Sequence, residues 1–125
     1  MAERQPTNQL DDDDVEERQF AKFKKLLKDF RRCRKKNIGW LKKNGFHEVV
    51  DTIYMTVEYR NSRSDCDYLV VMPEGRGWRS IACIGGAWEY GTDATAKTPE
   101  SAIRKSKARM RKMQERQFKR IYKKL

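Results

Sequence analysis

The sequence predicts a two-layer α+β sandwich: a helix, an antiparallel sheet of three or four strands, and a long C-terminal helix. Three observations predict it. Phe20, Phe23, Leu27 and Phe30 recur at spacings of three and four, the apolar stripe of an amphipathic helix. From Phe46 to Tyr90, apolar residues alternate or run in short blocks between turn residues, which is the pattern of strands joined by hairpins. Thr98-Pro99-Glu100 then opens a second helix with a hydroxyl cap, a proline at the first helical position and an acid near the positive end of the helix dipole.

Taken in order, residues 1–13 read as a disordered acidic tail, and residues 14–125 as a single α+β domain. Pro6-Thr7-Asn8-Gln9 shows no periodicity, and Asp11 to Asp14 repel one another. Asp14 is placed to cap the first helix, with Glu17 three residues on as in a capping box. That helix is expected from Val15 to about Lys36, its stripe widened by Leu26 and Cys33. Gly39 and Gly45 are both candidate C-caps, so it ends either at Asn37-Ile38-Gly39 or at Asn44-Gly45. Trp40, beside that end, reads as a core anchor, with base stacking as the alternative.

Phe46 to Arg60 is expected as one strand. In it Ile53, Met55, Val57 and Tyr59 alternate with Thr52, Tyr54, Thr56 and Glu58. Asn61 to Asp65 is a loop of turn residues. Tyr68 to Met72 is a short all-apolar strand, expected at the centre of the sheet and covered on both faces. Turns at Pro73–Gly77 and Gly85-Gly86 bound two more strands, Trp78–Ile84 and Ala87–Tyr90. Trp78, Ile81, Ile84, Trp88 and Tyr90 are the core material here. Thr92 to Lys97 reads as a polar connection.

The second helix is expected to run to Lys124, roughly 40 Å at 1.5 Å per residue. That is longer than a typical strand, so its far end should overhang the sheet. Ala102, Ile103, Ser106 and Met110 form its sheet-facing stripe. Short connections favour a meander, and one sheet face can receive the stripes of both helices.

Charge is the strongest functional signal. The chain of 125 residues carries 29 Lys and Arg against 18 Asp and Glu, for a net charge of +11. The segments 18–43 and 104–124 hold 23 of those 29 cations. Mean hydropathy is −0.99. With no apolar run of signal-peptide or membrane-spanning length, the chain is expected to be soluble and cytoplasmic, with no membrane contact. Cys33, Cys66 and Cys83 are widely spaced and odd in number, and His47 is the only histidine. A disulfide framework or zinc site is not expected, and the cysteines read as buried free thiols.

Two basic helices with few interleaved acids point to a phosphate polyanion, because neutralising phosphates releases counterions. The expected function is that of a small, basic, non-enzymatic nucleic-acid-binding protein, DNA or RNA, with no cofactor and no metal. The residues expected to contact phosphates are Lys24, Lys25, Arg31, Arg32, Arg34, Lys35, Arg76, Arg79, Arg104, Lys105, Lys107, Arg111 and Lys112. The alternative is a regulator or inhibitor of phage-accessory type that docks on another protein. Phe118, Ile121, Tyr122 and Leu125 would then form the interface of the C-terminal helix with that partner or in a homodimer. No phosphate-loop motif is present, so the glycines read as turn residues. Glu58, Asp65 and Asp67 are a poor match for a metal-dependent nuclease, whose carboxylates converge from rigid elements.

Arg104-Lys105-Ser106-Lys107-Ala108 loosely resembles the basic start of the second helix in double-stranded RNA-binding domains. Those domains share the order helix, three strands, helix. The stretch from Gly85-Gly86-Ala87-Trp88 to Ile103 resembles the strand–strand–helix ending of AP2 and integrase-type DNA-binding domains, whose sheet enters the major groove. Neither resemblance spans the whole chain, and no family is assigned from them.

Overall fold

A computed structural model describes the backbone of residues 4–123 and the side chains from Asp14 to Lys123. The side chains of the acidic tail expected over residues 1–13, together with Lys124 and Leu125, lie outside the described residues. Three helices and five strands follow in order: α1 (Arg4–Cys33), α2 (Lys35–Lys43), β1 (His47–Asp51), β2 (Thr56–Ser62), β3 (Tyr68–Glu74), β4 (Gly77–Ile84), β5 (Ala87–Ala96) and α3 (Pro99–Tyr122). The strands form one sheet in the order β1-β2-β3-β4-β5, and every pairing whose register is given is antiparallel. The α+β class and the meander are as expected, with five strands rather than three or four.

Two compact units divide the chain: Met1–Lys35 with Val50–Thr56, and Lys36–Val49 with Val57–Leu125. In the first, α1 begins at Arg4 rather than Val15. Asp14 therefore lies inside the helix and does not cap it. Its carboxylate instead lies 3.4 Å from the Arg18 guanidinium one turn on. Of the apolar stripe only Leu27 is buried. Phe23 and Phe30 are half-buried, while Val15, Phe20 and Leu26 are exposed, Leu26 by 60%. The expected burial of the whole stripe is therefore corrected.

The expected strand over 46–60 is broken by a turn at Thr52–Met55. Asp51 makes the turn: its Oδ1 accepts from the backbone N–H of Ile53 at 2.9 Å and of Tyr54 at 3.0 Å. Such a side-chain acceptor competes with the strand ladder for those N–H groups. Met55 follows with φ 54°, in the left-handed region that few non-glycine residues occupy. The alternation across the turn was thus misleading. Ile53 is 83% exposed, although the period-two pattern paired it with the fully buried Tyr59.

In the second unit, α2 ends at the second candidate glycine. Phe46 N–H donates to Leu41 O at 3.0 Å and Gly45 N–H to Lys42 O at 3.2 Å, with Gly45 at φ 89°. This is the paired hydrogen bonding of a Schellman cap, accompanied by burial of Leu41 and Phe46. β3 is central, as expected, and Leu69, Val70 and Val71 are all fully buried. Register places Val71 opposite Tyr59 on one side and Ser80 on the other, and Leu69 opposite Ala82. Tyr59, Val71, Ser80 and Ala82 thus share a face with Trp78. Tyr59 and Trp78 meet edge to face, ring centroids 6.2 Å apart.

The Gly85-Gly86 turn has φ of 62° and 80°, the double positive φ of a two-residue type I′ hairpin. Beyond it β5 continues to Ala96, so the expected polar connection at 92–97 is mostly strand. An irregularity in the β4–β5 register lets it continue. There Thr92 turns inward, its Oγ1 accepting from Ala82 N–H at 2.9 Å and donating to Glu89 O at 2.7 Å. Ile84 and Tyr90 are exposed, contrary to expectation.

Thr98 caps α3 as expected, its Oγ1 accepting from Ser101 N–H at 3.2 Å, with Pro99 in the first turn. The stripe Ala102, Ile103, Ser106 and Met110 is buried, and α3 packs on β4 and β5. All three cysteines are free, but only Cys83 is buried, and Cys33 is exposed.

Candidate nucleic-acid interface

The sheet-facing stripe of α3 fixes which way the rest of the helix points. With Ala102, Ser106 and Met110 buried, the sides of α3 turned away from the sheet are exposed. Along one flank, roughly a quarter turn from the buried stripe, Lys105, Arg109, Lys112, Arg116, Lys119 and Lys123 follow one another at spacings of three and four, which places them along a single ridge. All six are exposed. The ridge rises over roughly 27 Å at 1.5 Å per residue. Glu115, the one acid between Lys105 and Lys123, lies off it. Lys105 Nζ lies 3.4 Å from Thr95 O, which tethers the ridge at its sheet end.

A second line, Arg104, Lys107 and Arg111, runs along the other side of α3. Arg104 is 3.6 Å from Glu100 across one turn, and both side chains are largely exposed, so the pair is weak. Lys107 is half-buried. Burial first, and then the nearby Arg63 and Arg111 charges, lower its pKa below the usual lysine value, against the pull of Asp65. Among the described residues it has no hydrogen bond or ion pair. Arg111 and Lys112 are exposed.

Beside this line lies a cleft of about 360 Å³, lined by Trp40, Asn44, Phe46, Asn61, Arg63, Glu100, Ile103, Arg104 and Lys107. Arg63 reaches it from the β2–β3 loop. Its guanidinium is held by Asp65, Nε and Nη2 at 2.8 and 3.2 Å from the two carboxylate oxygens. That fork holds Asp65 below the usual carboxylate range. Arg63 and Trp40 were not among the expected contacts. The sequence signal for Arg63 is a basic residue in a loop of turn residues; for Trp40 the core reading is preferred over base stacking, and the side chain is half-buried.

The remaining expected contacts are placed as follows. Arg76 is exposed in the β3–β4 turn. Arg79 is half-buried, with Nε and Nη2 each 2.7 Å from an Asp93 oxygen, so its fork is already filled. On α1, Lys24 and Lys25 are exposed, with Lys24 Nζ 4.4 Å above the Phe20 ring. Arg31 is exposed, and Arg32 lies 3.3 Å from Asp29. Arg34, at the junction after α1, is half-buried with its guanidinium carbon 5.4 Å over Phe30. Lys35 is exposed at the start of α2.

Phe118, Ile121 and Tyr122 are exposed near the end of α3, with the Phe118 and Tyr122 rings 4.5 Å apart. The fourth residue expected there, Leu125, is outside the described residues. The carboxylates weighed for a metal are engaged elsewhere: Asp65 with Arg63, Glu58 with Arg60 at 2.7 Å, and Asp67 accepting from Gly86 N–H at 2.8 Å. No helix among the described residues is long and apolar enough to cross a membrane. No protein-family model, curated protein or solved structure matches the chain.

Proposed function

We propose that this is a non-enzymatic nucleic-acid-binding protein that contacts backbone phosphates through the cations of α3 and of α1. The observation that carries the reading is the exposed ridge from Lys105 to Lys123. Like charges three and four residues apart destabilise a helix by about 0.2–0.5 kcal/mol per pair. The second half of α3 buries little against the sheet, since every residue from 114 to 123 is exposed. Packing does not offset the repulsion there, whereas a row of phosphates would. Each strand of a duplex carries one phosphate per 3.4 Å of axis, so a ridge of this length faces several.

The test is binding of duplex DNA, duplex RNA and single strands across a range of salt. Log K should fall with log salt at about 0.9 per phosphate neutralised on a duplex, for a slope of roughly −4 or steeper. Absence of binding at low salt, or a slope near zero, would sink the reading.

A second reading is favoured by the exposed Phe118, Ile121 and Tyr122. An aromatic–aliphatic cluster ringed by Arg and Lys is the composition of a protein-binding hot spot. Under it, the end of α3 docks on a protein partner or on a second copy. A complex that survives nuclease treatment and high salt would favour it over the first.

A further inference from the structure

The cleft beside α3 differs from the ridge in kind. The ridge is an open row of cations, whereas the cleft combines a tryptophan, amide side chains and cations. Its volume, about 360 Å³, falls in the range of clefts that hold small organic ligands. Trp40, half-buried in the last turns of α2, supplies ring surface, while Phe46 behind it is buried. Arg104 and Lys107 enter from α3 and Arg63 from the β2–β3 loop.

We propose that this cleft takes one nucleotide of a single-stranded nucleic acid, its phosphate on Lys107 and Arg104 and its base against Trp40. The proposal rests on the nucleic-acid reading above and adds to it a site for an unpaired base. Lys107 is the main argument. It is partly desolvated, sits in the field of Arg63, and has no ion pair among the described residues. A phosphate would supply the missing counter-charge, whereas an apolar ligand would desolvate Lys107 further. Glu100 lines the same cleft and opposes an anion, but it is drawn toward Arg104 at 3.6 Å. Asn44 and Asn61 donate through Nδ2 to Trp40 O at 2.8 Å and Asn44 O at 3.4 Å, which leaves their Oδ1 atoms as acceptors for a base edge. A duplex hides its base faces within the stack, so stacking on Trp40 selects for single strands.

The experiment uses the full chain and two labelled probes of equal length, oligothymidylate and a DNA duplex, at low salt. The variants are Trp40→Ala and Lys107→Gln. Loss of a stacking side chain weakens single-strand binding by about tenfold or more. Duplex binding, carried by the ridge, should stay within about twofold for Trp40→Ala, whereas Lys107→Gln removes a cation and should weaken both probes, the single strand by more. Unchanged single-strand affinity, or an equal loss on both probes, overturns the cleft proposal and leaves the ridge reading standing. Wild-type protein that binds neither probe overturns both. If Trp40→Ala fails to fold by circular dichroism, Lys107→Gln alone decides, because its side chain is only half-buried.

Discussion

Arg79 and Asp93 face each other across β4 and β5 as a two-pronged pair, both nitrogen–oxygen distances 2.7 Å. The guanidinium beside it holds the Asp93 carboxyl below the usual carboxylate range. Since the folded-state pKa is depressed, the stabilisation is present above the unfolded value of about 4 and is lost as pH falls through the folded value. Asp93→Asn should therefore cost about 1 kcal/mol at neutral pH, the upper end for a partly exposed pair. The deficit should shrink as pH falls below the unfolded value of about 4. Thermal melts of both proteins across this range check it, and a deficit independent of pH would contradict the ion pair. The same variant releases Arg79 and should raise low-salt nucleic-acid affinity if the β4–β5 surface takes part in binding.

Ser80 and Ser106 are both fully buried, and neither hydroxyl has a hydrogen-bond partner among the described residues. A buried hydroxyl without a partner costs about 1–3 kcal/mol. Ser106→Ala removes that cost and the intrinsic preference of alanine for helix adds to the gain. It should stabilise by about 1 kcal/mol, a rise of roughly 3–5 °C in Tm for a chain of this size. A lower Tm would mean that the hydroxyl is satisfied in solution.

Strong local chemistry made much of the fold legible. Thr98-Pro99-Glu100 marks the start of α3 because capping uses groups within one turn. The stripe Ala102, Ile103, Ser106 and Met110 is buried because helical spacing dictates a face. Tyr68 to Met72 is central because an all-apolar run needs cover on both sides. What escaped were places where one side chain overrides a pattern. Asp51 captures two N–H groups and breaks a strand whose alternation runs straight through the break. Thr92 turns inward through a register irregularity that a polar sequence does not advertise. At the candidate interface, helical spacing aligns the ridge, yet only Lys105 and Lys112 of its six cations are among the expected contacts, because the buried stripe that orients α3 decides which cations share a line. The pairing of Arg79 with Asp93 and the convergence of Arg63 with Lys107 depend on contacts across 14 and 44 positions of sequence, which spacing does not encode.

Met55 at φ 54° offers a third check. The left-handed region costs a residue with a Cβ about 1–2 kcal/mol, while glycine enters it freely. Met55 is 37% exposed, so truncating it also gives up apolar burial. Met55→Ala loses the same burial and keeps the Cβ, so Met55→Gly should be more stable than Met55→Ala by about 0.5–1 kcal/mol after glycine's greater chain entropy is deducted. Urea unfolding would show a higher midpoint for the glycine variant at an unchanged slope. A glycine variant less stable than the alanine one would place the turn in another conformation.

Arg109 and Lys112 are exposed neighbours on the ridge, and a double change to glutamate tests its role without touching the core. Stability should hold or rise slightly, because like-charge repulsion along α3 falls. Affinity for duplex DNA should drop by at least about tenfold, and the salt slope should flatten by about two as two phosphate contacts are lost. If affinity falls while the slope stays fixed, the two residues act on fold or on bases rather than on phosphates.

Phe118 and Tyr122 lie one turn apart with their rings in contact, yet both are exposed. Phe118→Ser with Tyr122→Ser removes the apolar surface while retaining Lys119, Arg120 and Lys123, so charge and hydrophobic contact are separated. In the nucleic-acid reading, affinity and salt slope stay near wild type, because neither ring carries charge. In the protein-interface reading, the partner complex or dimer dissociates at concentrations where the wild type holds, since loss of hot-spot aromatics costs about 2 kcal/mol or more. Sedimentation velocity alongside an anisotropy titration reads both on the same samples. A pair of variants that lose nucleic acid while association persists would reverse the assignment, making the rings a stacking surface and the cations a support for the interface.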